Sequence, residues 1–154
     1  MFLTGKILLL LLSPAVGSFL AVLIDRLPRG EDVLRKPSSC RACHKDLRWF
    51  EMLPLLSYLL QRGRCRRCRA EIPAFLPLTE VAATAVAVLV VWLPLNGIQT
   101  FIGAAYLWVL LALALIDARH FRLPDPLTLV LFALGLALAG ADPARGFVHG
   151  LFRP

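Results

Sequence analysis

Four long apolar runs divide the sequence, at residues 7–24, 74–95, 98–116 and 126–141. A helix needs about 20 apolar residues to cross the hydrocarbon core of a bilayer, within a range of about 17–25. The first and third runs meet this length directly. The second meets it if Glu80 faces the protein interior, and the fourth only if its flanking residues are included. The pattern therefore predicts an all-α, polytopic membrane protein of about four transmembrane helices.

The composition supports the same class of protein. Of the 154 residues, 58% are hydrophobic and 18% are charged, and the mean hydropathy is +0.72. An average soluble domain has about 25% charged residues, and a domain of this size leaves about a third of its chain surface in water. An ordinary soluble enzyme, a disordered tail and a secreted disulfide-rich domain are therefore excluded.

The first apolar run has an alternative interpretation as a cleaved signal peptide. Lys6 would then lie in the basic region, and Ala15-Val16-Gly17 would be the cleavage site. Two observations favour a retained helix. The apolar run continues past this site as far as Ile24, and the densely basic segment after it opposes export across the membrane.

Positive charge is concentrated between the first two apolar runs. The net charge is +7, and 12 of the 17 Lys and Arg residues lie between positions 26 and 69. Loops of this kind stay in the cytoplasm and lie beside anionic lipid. The 26–72 segment is therefore predicted to be a cytoplasmic loop, the lipid bilayer is the predicted partner of the protein, and no nucleic-acid partner is predicted.

The remaining connections test this orientation. The uncharged Asn96-Gly97 connection would lie outside, and the 117–126 loop, which carries Arg119 and Arg122, would lie inside. Both agree with the positive-inside rule. The tail from residue 142 onward would lie outside, and its arginines run against the rule.

All four cysteines lie in the basic loop, as Cys40-x-x-Cys43 and Cys65-x-x-Cys68, with 21 residues between the pairs. Two such turns can direct four thiolates to one tetrahedral Zn²⁺, in a closed structural site. The neighbouring arginines would lower the thiol pKa values. Two disulfides, four free thiols or an iron site are the alternatives, and a reducing cytoplasm disfavours the disulfides.

The segment between the cysteine pairs is unusually apolar for a basic loop. Trp49, Phe50 and Tyr58 are aromatic residues of the kind found at membrane interfaces. The 53–60 stretch either lies on the bilayer or packs within the metal loop and on the helix ends, and the interfacial pattern alone does not choose between these alternatives.

Carboxylates at membrane depth are costly and are candidates for function. Asp117 is the strongest candidate because it directly follows an uncharged apolar run. A boundary residue paired with Arg119 or Arg122 is the alternative. For Asp125 the alternative is a residue of a turn that starts the next helix. For Glu80 the alternative is a buried group held by a hydrogen bond or an ion pair.

In order along the chain, these segments resemble the type IV prepilin peptidases. The resembling segments are residues 17–28, Cys40-x-x-Cys43, Trp49, residues 54–58, residues 62–68, residues 77–80, and residues 116–125 with the pattern Ile-Asp-x-x-x-x-x-Leu-Pro-Asp. One departure is Ala74-Phe75, where the family commonly has Arg-Tyr.

The resemblance implies a bacterial inner-membrane aspartyl endopeptidase that processes pilin-like or pseudopilin precursors. Many members also methylate the new N-terminus, which would require S-adenosylmethionine. Three regions are expected: residues 1–25 as the first transmembrane helix, 26–72 as the Cys₄ loop, and 73–154 as a partial peptidase domain with three transmembrane helices.

The resemblance also implies that Asp117 is one of two catalytic aspartates. Asp125 and Glu80 are candidate accessory groups. The second aspartate should lie in a later Gly-x-Gly-Asp motif, which this sequence lacks. A peptidase cut short before that motif is therefore expected. The alternatives are a non-catalytic membrane adaptor for pilin-like or assembly proteins, and a fragment completed by another polypeptide.

Overall fold

The structure, a computed structural model, describes residues 2–33, 38–48, 51, 54–95, 97–121 and 123–141. Within these ranges five α-helices follow one another: α1 (Phe2–Arg26), α2 (Leu56–Leu60), α3 (Phe75–Trp92), α4 (Gly97–His120) and α5 (Asp125–Gly140). Apart from two isolated bridges, the described ranges contain no β-structure. The all-α prediction is confirmed.

Three helices are long and apolar enough to cross a membrane, namely α1, α3 and α4. The fourth apolar run also forms a helix, α5, but its 16 residues span only about 24 Å. This is shorter than the hydrocarbon core of about 30 Å. The prediction of about four apolar helices is thus confirmed. Three of them are long enough to cross a membrane, and the fourth is shorter.

The three long helices pack in alternating directions. Lys6 near the start of α1 donates from its Nζ to the carbonyl oxygen of Val91 near the end of α3, at 2.9 Å. Helix α4 returns along α3, and the Trp108 Nε1 donates to the Ala83 carbonyl oxygen at 2.9 Å. Helices α1 and α4 therefore run in the same direction, with α3 opposed to both.

A glycine determines how closely α1 and α3 approach. A Cβ atom added at Gly17 would lie only 2.6 Å from the Cα of Glu80. Since any larger side chain would push the two backbones apart, Gly17 is required by the helix crossing. Close contact through small residues is the usual way in which membrane helices associate.

The core consists of two apolar clusters stacked along the bundle. One contains Leu20, Ile24, Ala83, Ala112 and Ile116, and the other contains Leu9, Ala87, Val90 and Ala104. Helix α5 packs on α4 and has no buried residue. Its outward apolar side chains, such as Leu129 and Phe132, are suited to lipid.

One end of the bundle, which we call the loop end, gathers the end of α1, the start of α3 and the end of α4. The cysteine segment joins α1 to α3 at this end. The Arg119 guanidinium, in the last turn of α4, lies 3.8 Å from the ring centroid of Phe75, the first residue of α3. The cysteine segment and the last turn of α4 therefore face the same side of any membrane that the bundle crosses.

Helix α4 is longer than the apolar pattern predicts. It continues past Ile116 for four residues and ends where Phe121 adopts a left-handed conformation with φ of 50°. Ala118, Arg119 and His120 permit this extension, because basic side chains favour the carbonyl end of a helix. Asp117 therefore lies within the last turn of α4 and does not end the helix.

Candidate functional site

The two cysteine pairs form turns with the same hydrogen-bond pattern, which we call the first and second knuckles. The N–H of the first cysteine in each pair bonds the carbonyl five residues later, at 3.0 Å for Cys40 and 2.8 Å for Cys65. The residue four positions after each of these cysteines has a positive φ, 54° at His44 and 57° at Arg69. One backbone shape is therefore used twice.

Together the knuckles could hold a metal ion. The Sγ atoms of Cys40, Cys43, Cys65 and Cys68 all lie within 4.8 Å of one another, and those of Cys40 and Cys68 are 3.7 Å apart. Tetrahedral Zn²⁺ with bonds of about 2.3 Å separates its sulfur ligands by about 3.8 Å. The four described cysteines are free of disulfides, and their arrangement fits a four-thiolate site.

Backbone N–H groups tune the thiols. The N–H of Cys43 is the largest influence on Cys40 and lowers the pKa of its thiol to about 6, and the N–H of Cys68 likewise lowers the pKa of Cys65. At Cys68 the N–H of Ala70 acts in the same direction, but desolvation and the other sulfurs raise the pKa to about 11. The expected arginine effect on the thiols is not the cause, because the main favourable contributions come from the peptide backbone.

Arg41 instead joins the first knuckle to the bundle. Its guanidinium lies 2.5 Å from the Asp25 carboxylate at the end of α1 and over the Phe75 ring at 5.6 Å from the centroid. Asp25 also pairs with Arg29. Because Arg119 lies over the same ring, Phe75 joins the first knuckle to the last turn of α4.

Glu80 joins the loop to the bundle a second time. Its side chain is 7% exposed, and its Oε2 accepts a hydrogen bond from the N–H of Leu55 at 2.6 Å. The prediction that Glu80 faces the interior as a hydrogen-bonded group is thus met by a backbone partner in the loop. Its carboxylate is engaged in holding that loop.

A cavity of about 500 Å³ lies between these two connections. Its walls come from α1, α3 and the loop, and they include Asp25, Cys40, Glu51, Tyr58 and Glu80. This volume falls within the usual range for small-molecule sites, about 300–1,000 Å³. Asp117 is not among the lining residues, so the cavity and this carboxylate are separate features of the loop end.

Asp117 and Asp125 differ from Asp25 and Glu80 in their surroundings. Both are exposed, and among the described residues neither has a salt bridge. Arg119 lies on Phe75, so the predicted Asp117–Arg119 pair is not observed, and Arg122 falls outside the described residues. Asp125 is the first residue of α5, and no side-chain hydrogen bond caps this helix.

Phe75 and the structural role of Arg41 were not predicted from the sequence. The equivalence of the two knuckles does have a signal in the sequence. Each knuckle is followed by an acid and then an aliphatic residue, at Asp46-Leu47 and Glu71-Ile72, and this repeat could have predicted two equivalent turns. No comparable pattern identifies the aromatic partner of Arg41, since Phe75 lies 34 positions further along the chain. Trp49 and Phe50, predicted at the interface, fall outside the described residues.

Family profiles match most of the chain. The bacterial peptidase A24 N-terminal domain matches residues 11–93, a range that contains both knuckles and Glu80. The type IV leader peptidase family matches residues 104–152, a range that contains Asp117 and Asp125. No solved structure matches the chain.

Several curated relatives carry the name prepilin leader peptidase/N-methyltransferase. The Vibrio cholerae protein is 32% identical over 146 residues, covering 90% of this chain and 58% of the relative. The Klebsiella pneumoniae protein is 39% identical over 128 residues, covering 79% and 56%, and the Myxococcus xanthus protein is 36% identical over 148 residues, covering 94% and 44%. The chain thus spans about half the length of these relatives, and it belongs to the type IV leader peptidase family.

Proposed function

We propose that this chain forms part of a membrane aspartyl endopeptidase that removes the leader from type IV prepilin-like precursors. The observation that carries the proposal is the position of Asp117. It lies in the segment matched by the leader peptidase profile, at an exposed helix end. Asp25 and Glu80 have structural partners, which leaves Asp117 and Asp125 as the exposed helix-end acids, and the family resemblance assigns the catalytic role to Asp117.

The chemistry requires a second carboxyl group. In an aspartyl peptidase one carboxylate removes a proton from the attacking water, while a protonated partner hydrogen-bonds the scissile carbonyl. Asp117 cannot hold both protonation states at once. Its partner would come from a Gly-x-Gly-Asp segment outside these 154 residues, where the relatives are longer. Asp125, eight residues further along across a Pro-containing turn, is not proposed as that partner.

The substrate would approach the loop end from the bilayer. By the family resemblance the precursor would carry basic leader residues, and the exposed Asp117 carboxylate would meet them. Asp25 is not suited to this contact, because Arg29 and Arg41 already occupy its carboxylate. We place the loop end on the cytoplasmic side of the bacterial inner membrane, on the strength of the basic 26–69 segment.

The four thiolates would hold a structural zinc ion that cross-links the two knuckles. Such a site has no open coordination position for catalysis. Methylation of the new N-terminus would use S-adenosylmethionine, and the cavity of about 500 Å³ is large enough for a ligand of that size. Both cofactors are parts of the proposal.

The test is precursor processing on a gel with matched proteins. The 154-residue chain should cleave a pilin-like precursor negligibly, and supplying the Gly-x-Gly-Asp segment of a relative, fused or co-expressed, should restore cleavage. Asp117→Asn in the restored enzyme should lower the rate by about 10²–10⁴-fold, the usual contribution of a general acid or base. Asp125→Asn should remain active.

A second candidate is a non-catalytic membrane adaptor that binds the same precursors. Precursor binding with no cleavage in either the chain or the restored protein would support it. Efficient cleavage by the unmodified chain would contradict both candidates and direct attention to Asp125.

A further inference from the structure

Helix α3 indicates where the loop lies relative to the lipid boundary. Its 18 residues span about 27 Å, close to the hydrocarbon thickness of about 30 Å. Helix α3 therefore begins near the lipid boundary. Glu80 is the sixth residue of α3, about 7.5 Å along its axis. The N–H of Leu55 bonds the Glu80 carboxylate at 2.6 Å, so the residues just before α2 are held within about 7.5 Å of this boundary.

Helix α2 presents an apolar face away from the protein. Leu56, Leu59 and Leu60 are 59%, 72% and 77% exposed, and their i, i+3, i+4 spacing places them on one side of a helix. Ser57 and Tyr58 line the cavity instead. The helix thus divides a protein-facing side from a leucine side that no described element covers.

Positive charge follows directly after this face. Residues 61–69 contain five exposed arginines: Arg62, Arg64, Arg66, Arg67 and Arg69. The N–H of Gly63 bonds the Tyr58 carbonyl oxygen at 2.9 Å, which joins α2 to the second knuckle as one unit. Apolar side chains beside clustered arginines are typical of segments that lie in the interface of an anionic membrane.

We propose that α2 lies in the bilayer interface. The three leucines enter the boundary between headgroups and acyl chains, and the arginines of the second knuckle contact anionic headgroups. The occupant of this surface is therefore an anionic lipid leaflet. The metal-binding loop is then anchored at its middle as well as at both ends, which holds the cavity at the membrane surface. This inference is independent of the proposed peptidase activity.

The test uses the full chain, zinc-loaded, in nanodiscs of phosphatidylcholine with phosphatidylglycerol. The photoreactive residue benzoylphenylalanine replaces Leu59 in one variant and Lys45, an exposed residue of the first knuckle, in the control. Mass spectrometry should find phospholipid cross-linked at position 59 in several-fold excess over position 45. Unchanged zinc content in both variants shows that the loop is folded. Equal lipid capture at the two positions, or capture at 59 only by protein, overturns the proposal.

A second measurement tests the charged half of the surface. Amide hydrogen exchange across residues 62–69 should slow several-fold when phosphatidylglycerol is added to phosphatidylcholine nanodiscs, whereas residues 41–48 of the first knuckle should change little. Exchange in 62–69 that is insensitive to anionic lipid overturns the assignment of the arginines to headgroups.

Discussion

The acids around the cysteine loop and the acids around the α4–α5 connection are held in different ways. Asp25 and Glu80 are paired with residues of the loop, an arginine in one case and a backbone N–H in the other. Asp117 and Asp125 are exposed, and the described residues provide neither with a salt bridge. Four carboxylates at one end of a bundle thus fall into two classes.

The position of an acid near a membrane does not by itself define its role. A carboxylate removed from water is stable only when hydrogen bonds or charges compensate its desolvation, as they do at the half-buried Asp25 and the buried Glu80. An exposed carboxylate at a helix end has water as its default partner and is available to a substrate.

Loss of the metal site should have the largest effect. Because metal binding and folding of such loops are coupled, replacing both Cys40 and Cys43 with Ser should lower bound zinc from about one per chain to a trace. The 26–72 loop should become sensitive to protease while the three long helices remain protected. Metal analysis and limited proteolysis measure both effects. Full zinc retention in the double variant would contradict the four-thiolate site.

Gly17→Ala should be next in size. Its Cβ would lie 2.6 Å from the Glu80 Cα, so α1 and α3 must separate, and overpacking of this kind costs about 1–3 kcal/mol. Unfolding in detergent by denaturant titration measures the loss. Gly140→Ala is the matched control, because a Cβ there meets nothing within 4 Å. Equal effects at the two positions would show that the α1–α3 approach is not constrained.

Phe75 should contribute a smaller, specific amount. Each guanidinium over an aromatic ring is worth about 0.5–1 kcal/mol at an exposed site, so Phe75→Ala should speed amide exchange in residues 117–121 and weaken zinc retention against a chelator by about 2- to 5-fold. Phe75→Tyr keeps the ring and should behave like the natural protein. If Ala and Tyr give the same result, the ring does not connect the knuckle to α4.

Asp125→Asn should have the smallest effect. Asp125 makes no capping hydrogen bond, so the change removes only a favourable interaction with the helix dipole, about 0.3–1 kcal/mol. Thermal unfolding of the chain measures this loss. A destabilisation well above that range would indicate a partner for Asp125 in the part of the protein that the structure does not describe.

The long helices and the metal-binding turns of this protein follow from local sequence patterns. Apolar runs of membrane length specify helices because an unbonded backbone is too costly in lipid, and the runs at 7–24, 74–95 and 98–116 became α1, α3 and α4. The paired Cys-x-x-Cys spacing likewise specifies a metal-binding geometry, because each short turn directs two sulfurs to one point. Both are local rules that the order of residues satisfies without reference to distant parts of the chain.

Which acids have hydrogen-bond or salt-bridge partners depends on how the helices pack. The partner of Glu80 is a backbone N–H 25 positions earlier, and Arg41 reaches Asp25 and Phe75 because α1 and α3 bring their loop ends together. The crossing at Gly17 sets this approach. Helix α4 is also longer than the apolar run at 98–116 predicts. An apolar run marks only the part of a helix that suits lipid, whereas the polar last turn depends on electrostatics at the helix end. Pairings across distant segments follow from helix packing, which no local pattern of residues encodes.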